Sequence, residues 1–223
     1  MDKFFWSDPP GMTAFPVARP GYPVIFAAAF ATVVFAVIGF AGFAIAGLVI
    51  TGCICCFFRD PDRVIPSKPG AVVSPADGKV VLSELVENNP FLEGKCRKIS
   101  IFMSVFNVHV NRTPYEGRIT GIQYFPGKFF TANLDKASEK NEKNAIFLET
   151  GDGKKICFVQ IAGLVARRII CRIQEGDILE RGQRFGMICF GSRLDVYLPA
   201  DMNPEISLGD KVVGGTSILG YLE

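Results

Sequence analysis

The sequence predicts a mainly β domain preceded by a long apolar segment, and three observations support this prediction. Residues 23–58 contain no charged side chain. After residue 58, short runs of β-branched and aromatic residues alternate with Gly, Pro, Asn and Asp, which is typical of strands and turns. Two glycine-bounded segments near the C-terminus share one pattern. A chain of 223 residues is long enough for one packed domain and an accessory segment.

The apolar run at residues 23–58 is a predicted membrane segment. It follows a Pro- and Gly-rich flank, residues 1–22, and begins too far from the N-terminus for a typical signal peptide. About 20 residues span the hydrocarbon core as a helix, so the run is too long for one span and slightly short for two. Gly39 to Gly42 offer a turn, which favours a helical hairpin over the alternative of a single tilted helix. A hairpin would place both flanks in the cytoplasm.

Residues 59–223 form the predicted β domain. Within this domain, residues 135–144 are the one segment that we expect to be helical or to form a polar surface feature. The pattern G-D-x-[LV]-x-x-G occurs at 176–182 and again at 209–215. Such turns recur in lipoyl-like, barrel-sandwich domains, where glycine supplies a positive φ, so we expect that type of fold. Strands are predicted from apolar or alternating runs that include residues 71–73, 79–82, 98–106, 146–149, 155–161 and 193–198.

Charge and cysteine content narrow the function classes. The formal net charge is only +2, which gives no reason to expect a nucleic-acid partner. The seven cysteines are odd in number and show no paired C-x-x-C motifs, since the single C-x-x-C spacing, Cys53 to Cys56, falls in the apolar segment; we therefore expect neither a disulfide framework nor a metal site. Buried thiols in a reducing compartment fit this pattern better.

Three residues are candidates for chemistry. His109 is the only histidine in the chain, and an ordinary histidine pKa of about 6.5 suits proton transfer near neutral pH. Asp77, within a Ser-Pro-Ala-Asp-Gly turn, could orient an imidazole. Gly191-Ser192 is the only Gly-Ser dipeptide; its serine needs a base to become a nucleophile, and its glycine permits unusual backbone geometry. Taken singly, each also reads as an ordinary structural residue.

Taken together, these motifs resemble the short form of the phosphatidylserine decarboxylase family. The resemblance covers nearly the whole chain, including the apolar segment and the Phe-Phe-Arg-Asp-Pro that ends it. The motifs that carry it are Ser-Pro-Ala-Asp-Gly at 74–78, Asn-Val-His-Val-Asn-Arg-Thr-Pro at 107–114, Gln-Ile-Ala-Gly-Leu-Val-Ala-Arg-Arg-Ile at 160–169 and Arg-Phe-Gly-Met-Ile-Cys-Phe-Gly-Ser-Arg-Leu-Asp-Val-Tyr-Leu-Pro at 184–199.

The resemblance implies that the chain cuts itself. Asp77 would orient His109, His109 would deprotonate Ser192, and the Ser192 oxygen would attack the Gly191 carbonyl. The products would be a large chain 1–191 and a small chain 192–223 whose first residue has become a pyruvoyl group. That covalent cofactor would form a Schiff base with the serine amine of phosphatidylserine and accept the electrons released with carbon dioxide.

The resemblance also implies the partners and the location. The expected partners are phosphatidylserine in the membrane and the chain's own two fragments as a heterodimer, with a higher oligomer left open. The expected location is the cell membrane, with the catalytic domain on the cytoplasmic face. Longer family members carry a second histidine where this chain has Arg112, so the proton donor is open between His109 and another group, and Arg112 is a candidate substrate-binding cation.

Two other function classes fit the residues. A membrane-tethered, lipoyl-like binding module would keep His109 and Ser192 as structural residues in an uncut chain. A membrane-bound serine hydrolase would use the same Asp, His and Ser and keep its serine. Related decarboxylases that act on other serine-bearing phospholipids would share the whole mechanism.

Overall fold

The structure is a computed structural model that describes residues 17–127, 141–163, 168–189 and 191–223. The described chain divides into two compact units, one ending at Asp62 and the other beginning at Arg63.

The first unit consists of two apolar helices. A 3-10 turn at Arg19–Gly21 leads into α1 (Tyr22–Val37), and α2 (Ala41–Phe57) follows after a short turn. Gly39 in that turn has φ of +83°, a conformation that glycine adopts without steric cost. The helices contact each other at Gly47, where a Cβ would lie 2.6 Å from the Thr32 hydroxyl.

The two ends of this unit lie side by side. Val17 forms an isolated antiparallel bridge with Arg59, and the Ala18 N–H donates to the Phe58 carbonyl at 2.7 Å. Among the described residues, one helix, Arg19–Val37, is long and apolar enough to cross a membrane, and α2 is a shorter apolar helix. Their length and composition are compatible with membrane association.

The second unit is built from fourteen described strands and is mainly β, as predicted. Eight strands form one antiparallel sheet in the order β13-β2-β3-β11-β7-β6-β5-β9, and two three-stranded sheets have the orders β1-β14-β12 and β4-β10-β8. The strands are β1 (Ala71–Val73), β2 (Gly78–Val86), β3 (Cys96–Met103), β4 (Val110–Arg112), β5 (Gly117–Phe125), β6 (Lys143–Glu149), β7 (Lys155–Ala162), β8 (Arg168–Cys171), β9 (Ile178–Leu179), β10 (Arg184–Cys189), β11 (Ser192–Pro199), β12 (Asn203–Pro204), β13 (Lys211–Val212) and β14 (Ile218–Tyr221).

The repeated sequence pattern is a structural repeat. Gly176 and Gly209 have φ of +94° and +97°, and Gly182 and Gly215 have φ of +74° and +76°. The strands within the two segments, β9 and β13, form the two opposite edges of the eight-stranded sheet. The positive φ expected of these glycines is therefore confirmed.

A second sequence repeat, which was not predicted above, joins two turns of the β domain. Residues 74–78 and 113–117 both read [ST]-P-x-[DE]-G. The two segments exchange main-chain hydrogen bonds reciprocally, because the residue that precedes each one donates its N–H to the proline carbonyl of the other. The bonds are Val73 to Pro114 at 2.9 Å and Arg112 to Pro75 at 2.8 Å. The two segments, which lead into β2 and β5, are thus bonded to each other as equivalent turns.

Strand β11 separates two apolar clusters. Leu194, Val196 and Leu198 belong to the larger buried cluster, whereas Tyr197 belongs to a smaller one on the other face of the sheet. Successive side chains on a strand point to opposite faces. Ser192 therefore shares the face of Leu194.

The segment at 135–144, predicted to be helical or a polar surface feature, overlaps the start of strand β6. Residues 135–140 lie outside the described residues. Lys143 and Asn144 belong to strand β6 and pair with β7, so a helix through residue 144 was wrong. The charged residues before this strand obscured its start. The assignment to the lipoyl-like type stays a prediction.

Candidate active site

Ser192 is the first residue of β11, in the middle of the large sheet. It pairs with Met103 of β3 on one side and with Ala162 of β7 on the other. Its side chain is fully buried, and the hydroxyl donates to the Met103 thioether with an O–S distance of 3.3 Å. A thioether is a weak acceptor, so this contact locates the hydroxyl without activating it.

Gly191 adopts a left-handed conformation. Its φ is +56°, and a Cβ built on it would have no heavy atom of the described residues within 4 Å. The backbone conformation costs an ordinary L-residue about 1–2 kcal/mol. The glycine before the serine is therefore required by the turn, as the sequence suggested.

His109 is fully buried just before β4. Its Nδ1 lies 2.9 Å from the Asn107 carbonyl oxygen, and its own carbonyl accepts the Ile188 N–H at 3.4 Å. A carbonyl oxygen can only accept, so Nδ1 carries the proton. In the neutral ring the lone pair then lies on Nε2, which is the atom able to act as a base.

Asp77 is held by two donors. Its Oδ2 accepts from Arg63 Nη2 at 2.9 Å, and its Oδ1 accepts from the Gly214 N–H at 2.7 Å. Each carboxylate oxygen has a second lone pair, so these bonds leave capacity for a further donor. The orienting role towards His109 stays a prediction.

Glu116 is the counterpart of Asp77 in the second [ST]-P-x-[DE]-G segment. It forms a bidentate ion pair with Arg181, at 2.8 and 3.1 Å. Both acidic residues therefore pair with an arginine. The ion pair gives Asp77 a structural role in addition to any catalytic one. Glu116 has the same structural role, so its substitution is a matched control for the substitution of Asp77.

Arg112, the candidate substrate-binding cation, is buried. Its Nη1 donates to the Gly182 carbonyl at 3.0 Å, and its side chain packs close to Gly215. These contacts assign Arg112 a structural role between the two glycine-bounded segments, 176–182 and 209–215. Binding of substrate by Arg112 stays a prediction.

The three candidate residues lie on connected segments. The segment of Asp77 bonds through Pro75 to Arg112, three residues after His109. His109 bonds to Ile188 of β10, and β10 precedes Ser192. Backbone hydrogen bonds thus link the parts of the chain that carry Asp77, His109 and Ser192.

A buried chain of amide side chains approaches Ser192 from the sheet interior, and the sequence analysis missed it. Asn144 Nδ2 donates to Gln160 Oε1 at 3.2 Å, and Gln160 Nε2 donates to Asn111 Oδ1 at 2.9 Å. Asn111 Nδ2 lies 3.8 Å from the Met103 sulfur. The motifs contained Asn111 and Gln160, but nothing in their local sequence indicated that they meet.

A buried ion pair lies on the opposite face of β11. Arg193 Nε and Nη2 donate to the two oxygens of Asp195 at 2.7 and 3.0 Å, and Lys98 Nζ lies 3.5 Å from Asp195 Oδ2. Arg193 and Asp195 are both buried. A bidentate pair of this kind fixes side-chain geometry, so it stiffens the strand directly after Ser192.

The thiols of the β domain are poor nucleophiles at neutral pH. Burial raises the pKa of Cys157 and of Cys189, although Arg168 partly opposes the effect at Cys189. Because thiolate is the reactive form, burial lowers the reactivity of these thiols. All seven cysteines are free.

Comparison with known proteins identifies the family. The family model described as phosphatidylserine decarboxylase matches residues 50–220. A phosphatidylserine decarboxylase proenzyme of Desulfotalea psychrophila is 49% identical over 207 residues, which are 93% of this chain and 97% of that protein. A protein of the same name from Syntrophus aciditrophicus is 50% identical over 205 residues, 92% and 96% of the two chains, and one from Burkholderia multivorans is 47% identical over 93% and 96%.

The names of these relatives describe decarboxylases, a class of lyase, that are made as precursors. The chain belongs to the phosphatidylserine decarboxylase family.

Proposed function

We propose that this protein is a proenzyme that cuts itself between Gly191 and Ser192 and then decarboxylates phosphatidylserine to phosphatidylethanolamine. The observation that carries the proposal is the junction itself. A left-handed glycine precedes a fully buried serine at the start of a strand, in a chain whose relatives are named proenzymes.

The proposed cleavage needs only groups of this chain and one water. His109 Nε2 takes the Ser192 hydroxyl proton, and the oxygen attacks the Gly191 carbonyl carbon. The peptide C–N bond breaks, the proton passes to the released nitrogen, and an ester joins the two parts. Loss of the α-proton of residue 192 then expels the Gly191 carboxylate and leaves dehydroalanine, which water hydrolyses to a ketone and ammonia. The tautomer fixed by Asn107 supports His109 as the base.

The surroundings of Ser192 fit a neutral pyruvoyl group. Its described polar neighbour is the Met103 thioether, with the neutral amide of Asn111 behind it. Such a group, once formed, supplies the electron sink for decarboxylation. His109 is the proposed proton donor to the product carbon, a role worth about 10²–10⁴-fold in rate. Arg112 stays a proposed substrate-binding cation.

The two products of cleavage would remain one molecule. The small chain contributes β11 between β3 and β7, β13 beside β2, and β14 beside β1. All of those neighbours belong to the large chain. Strand pairs that are already present before cleavage would therefore hold the large and small chains together as a heterodimer.

We also propose that α1 and α2 form a helical hairpin in the cell membrane, with the catalytic domain on the cytoplasmic face. The adjacent ends of the unit, bonded at Ala18 and Phe58, support a segment that enters and leaves on one side. Residues 1–22, 23–58 and 59–223 would then be flank, membrane segment and catalytic domain. The paired glycine turns support a lipoyl-like, barrel-sandwich type for that domain.

Borohydride trapping tests the proposed mechanism. Purified enzyme with phosphatidylserine vesicles should release carbon dioxide, and borohydride added with substrate should stop release by reducing an imine to the small chain. A fluorophosphonate probe should not label the mature enzyme. Labelling at Ser192 with no sensitivity to borohydride would instead identify a serine hydrolase.

A further inference from the structure

The turn between β3 and β4 is locked by its own side chains. Asn107 Oδ1 accepts hydrogen bonds from the Ser104 N–H at 2.9 Å and from the Ser104 hydroxyl at 2.7 Å. The Asn107 N–H donates back to the Ser104 carbonyl at 3.0 Å. Three bonds between two residues leave the residues between them little freedom.

This rigid turn holds two apolar side chains in solvent. Phe106 is 83% exposed and Val105 is 46% exposed. Full burial of a side chain of this size is worth about 1.5–3 kcal/mol. A fixed, exposed phenylalanine is informative when it lies beside a functional site.

The turn is attached to the candidate active site at both ends. It begins after Met103, whose sulfur accepts the Ser192 hydroxyl. It ends at Asn107, whose carbonyl holds His109 Nδ1. The apolar tip therefore borders the place where the proposed chemistry occurs.

A second exposed aromatic lies at the same end of the sheet. Tyr124, near the end of β5, is 59% exposed. It pairs with Asn144, which pairs with Gln160, which pairs with Leu194, two residues after Ser192. On the opposite face of the same sheet end, Phe125 packs against the smaller apolar cluster, and the ammonium of Lys143 lies 5.4 Å from the centre of its ring. Aromatic rings next to cations are typical of protein surfaces at the lipid headgroup level.

We propose that the Ser104–Asn107 turn contacts the lipid bilayer and inserts Val105 and Phe106 at the boundary between headgroups and acyl chains. This inference rests on the proposed function, because the proposed substrate is a lipid and Ser192 is fully buried. The serine headgroup must reach the sheet end while its acyl chains stay in an apolar medium. A rigid apolar tip beside Ser192 meets that requirement.

Tryptophan fluorescence tests the contact without relying on catalysis. The only tryptophan in the sequence, Trp6, is first removed by Trp6→Phe. A single tryptophan is then introduced by Phe106→Trp. The full chain is reconstituted into phosphatidylcholine vesicles containing phosphatidylserine, with or without brominated acyl chains. Phe106→Trp fluorescence should be quenched by the brominated lipid. Leu85→Trp is the control, because Leu85 is 44% exposed and pairs with Arg97, roughly 20 Å along β3 from Met103.

Activity provides the second readout. Phe106→Ser should lower kcat/KM for long-chain phosphatidylserine in vesicles by about tenfold or more, the loss expected from one apolar side chain leaving the bilayer. Turnover of freely soluble dihexanoyl phosphatidylserine and self-cleavage should change less than about twofold, because neither uses the bilayer contact. Leu85→Ser should change none of these rates.

Each contrary result has a definite meaning. Equal quenching at positions 106 and 85 overturns the proposal. So does an equal loss on both lipids, which would place Phe106 in the chemistry. A change of oligomeric mass in detergent on Phe106→Ser would make the turn an interface between copies of the chain and would also overturn it. Quenching at position 106 without decarboxylation by the wild type would preserve the membrane contact and remove the proposed function.

Discussion

The Ser192 hydroxyl donates to the Met103 sulfur across 3.3 Å, so the proposed nucleophile is held by a group too weakly basic to activate it. In the proposed self-cleavage, the hydroxyl would turn from the sulfur to the His109 imidazole. Met103→Leu removes the acceptor and conserves volume, a change that usually costs less than about 1.5 kcal/mol. We expect cleavage no slower than wild type, followed as band conversion on denaturing gels. Arrested cleavage in a folded Met103→Leu protein would mean that the sulfur orients the nucleophile.

The paired acidic turns allow the role of Asp77 to be separated from its ion pair. Asp77→Asn should slow self-cleavage by at least about tenfold, because the Asp77 carboxylate is the group proposed to stabilise the His109 cation. Glu116→Gln removes the equivalent carboxylate, which pairs with Arg181 and precedes β5 at the end of the sheet opposite Ser192, and should cleave at the wild-type rate. The measurement is the cleavage rate of freshly synthesised chain. Equal slowing by both variants would assign Asp77 a purely structural role.

The amide chain behind Met103 should be important for stability. Gln160→Leu removes the donor to Asn111 Oδ1 and the acceptor of Asn144 Nδ2, and an unsatisfied buried polar group costs about 1–3 kcal/mol. For a domain of this size, we expect the Tm to fall by roughly 2–10 °C, measured in a Ser192→Ala background so that the sample is uniformly uncut. An unchanged Tm would mean that water or rearrangement replaces these bonds.

The two fragments should stay together after cleavage. Strand β11 pairs along most of its length with β3 and β7, and β13 and β14 add further pairs with the large chain. Native mass measurement in detergent should therefore give one species of the combined mass, and denaturant should separate it into two. Loss of the small chain during gel filtration without denaturant would contradict this expectation.

Much of this architecture could be predicted from local sequence, and the missing parts have a common cause. The uncharged run predicted the apolar segment, a nearly continuous apolar run predicted strand β7, and G-D-x-[LV]-x-x-G predicted positive φ at Gly176 and Gly209. Each of these signals lies within one continuous stretch of sequence. The start of β6 was missed because polar Lys143 and Asn144 resemble a surface loop.

The contacts of the candidate site were harder to predict. Gln160 meets Asn111 across 49 positions of sequence, and Ser192 meets Met103 across 89. Such pairs depend on strand order, which periodicity does not determine. The [ST]-P-x-[DE]-G repeat was present in the sequence, but its meaning depends on the reciprocal bonds through Pro75 and Pro114.

The mass of the purified protein under denaturing conditions tests the central proposal most directly. Cleavage at Gly191-Ser192 predicts two masses, a large chain ending at Gly191 and a small chain of residues 192–223 that carries a ketone in place of its amino group and resists Edman degradation. Ser192→Ala should give one full-length mass. A single full-length mass from wild-type protein that decarboxylates phosphatidylserine would contradict the proposal.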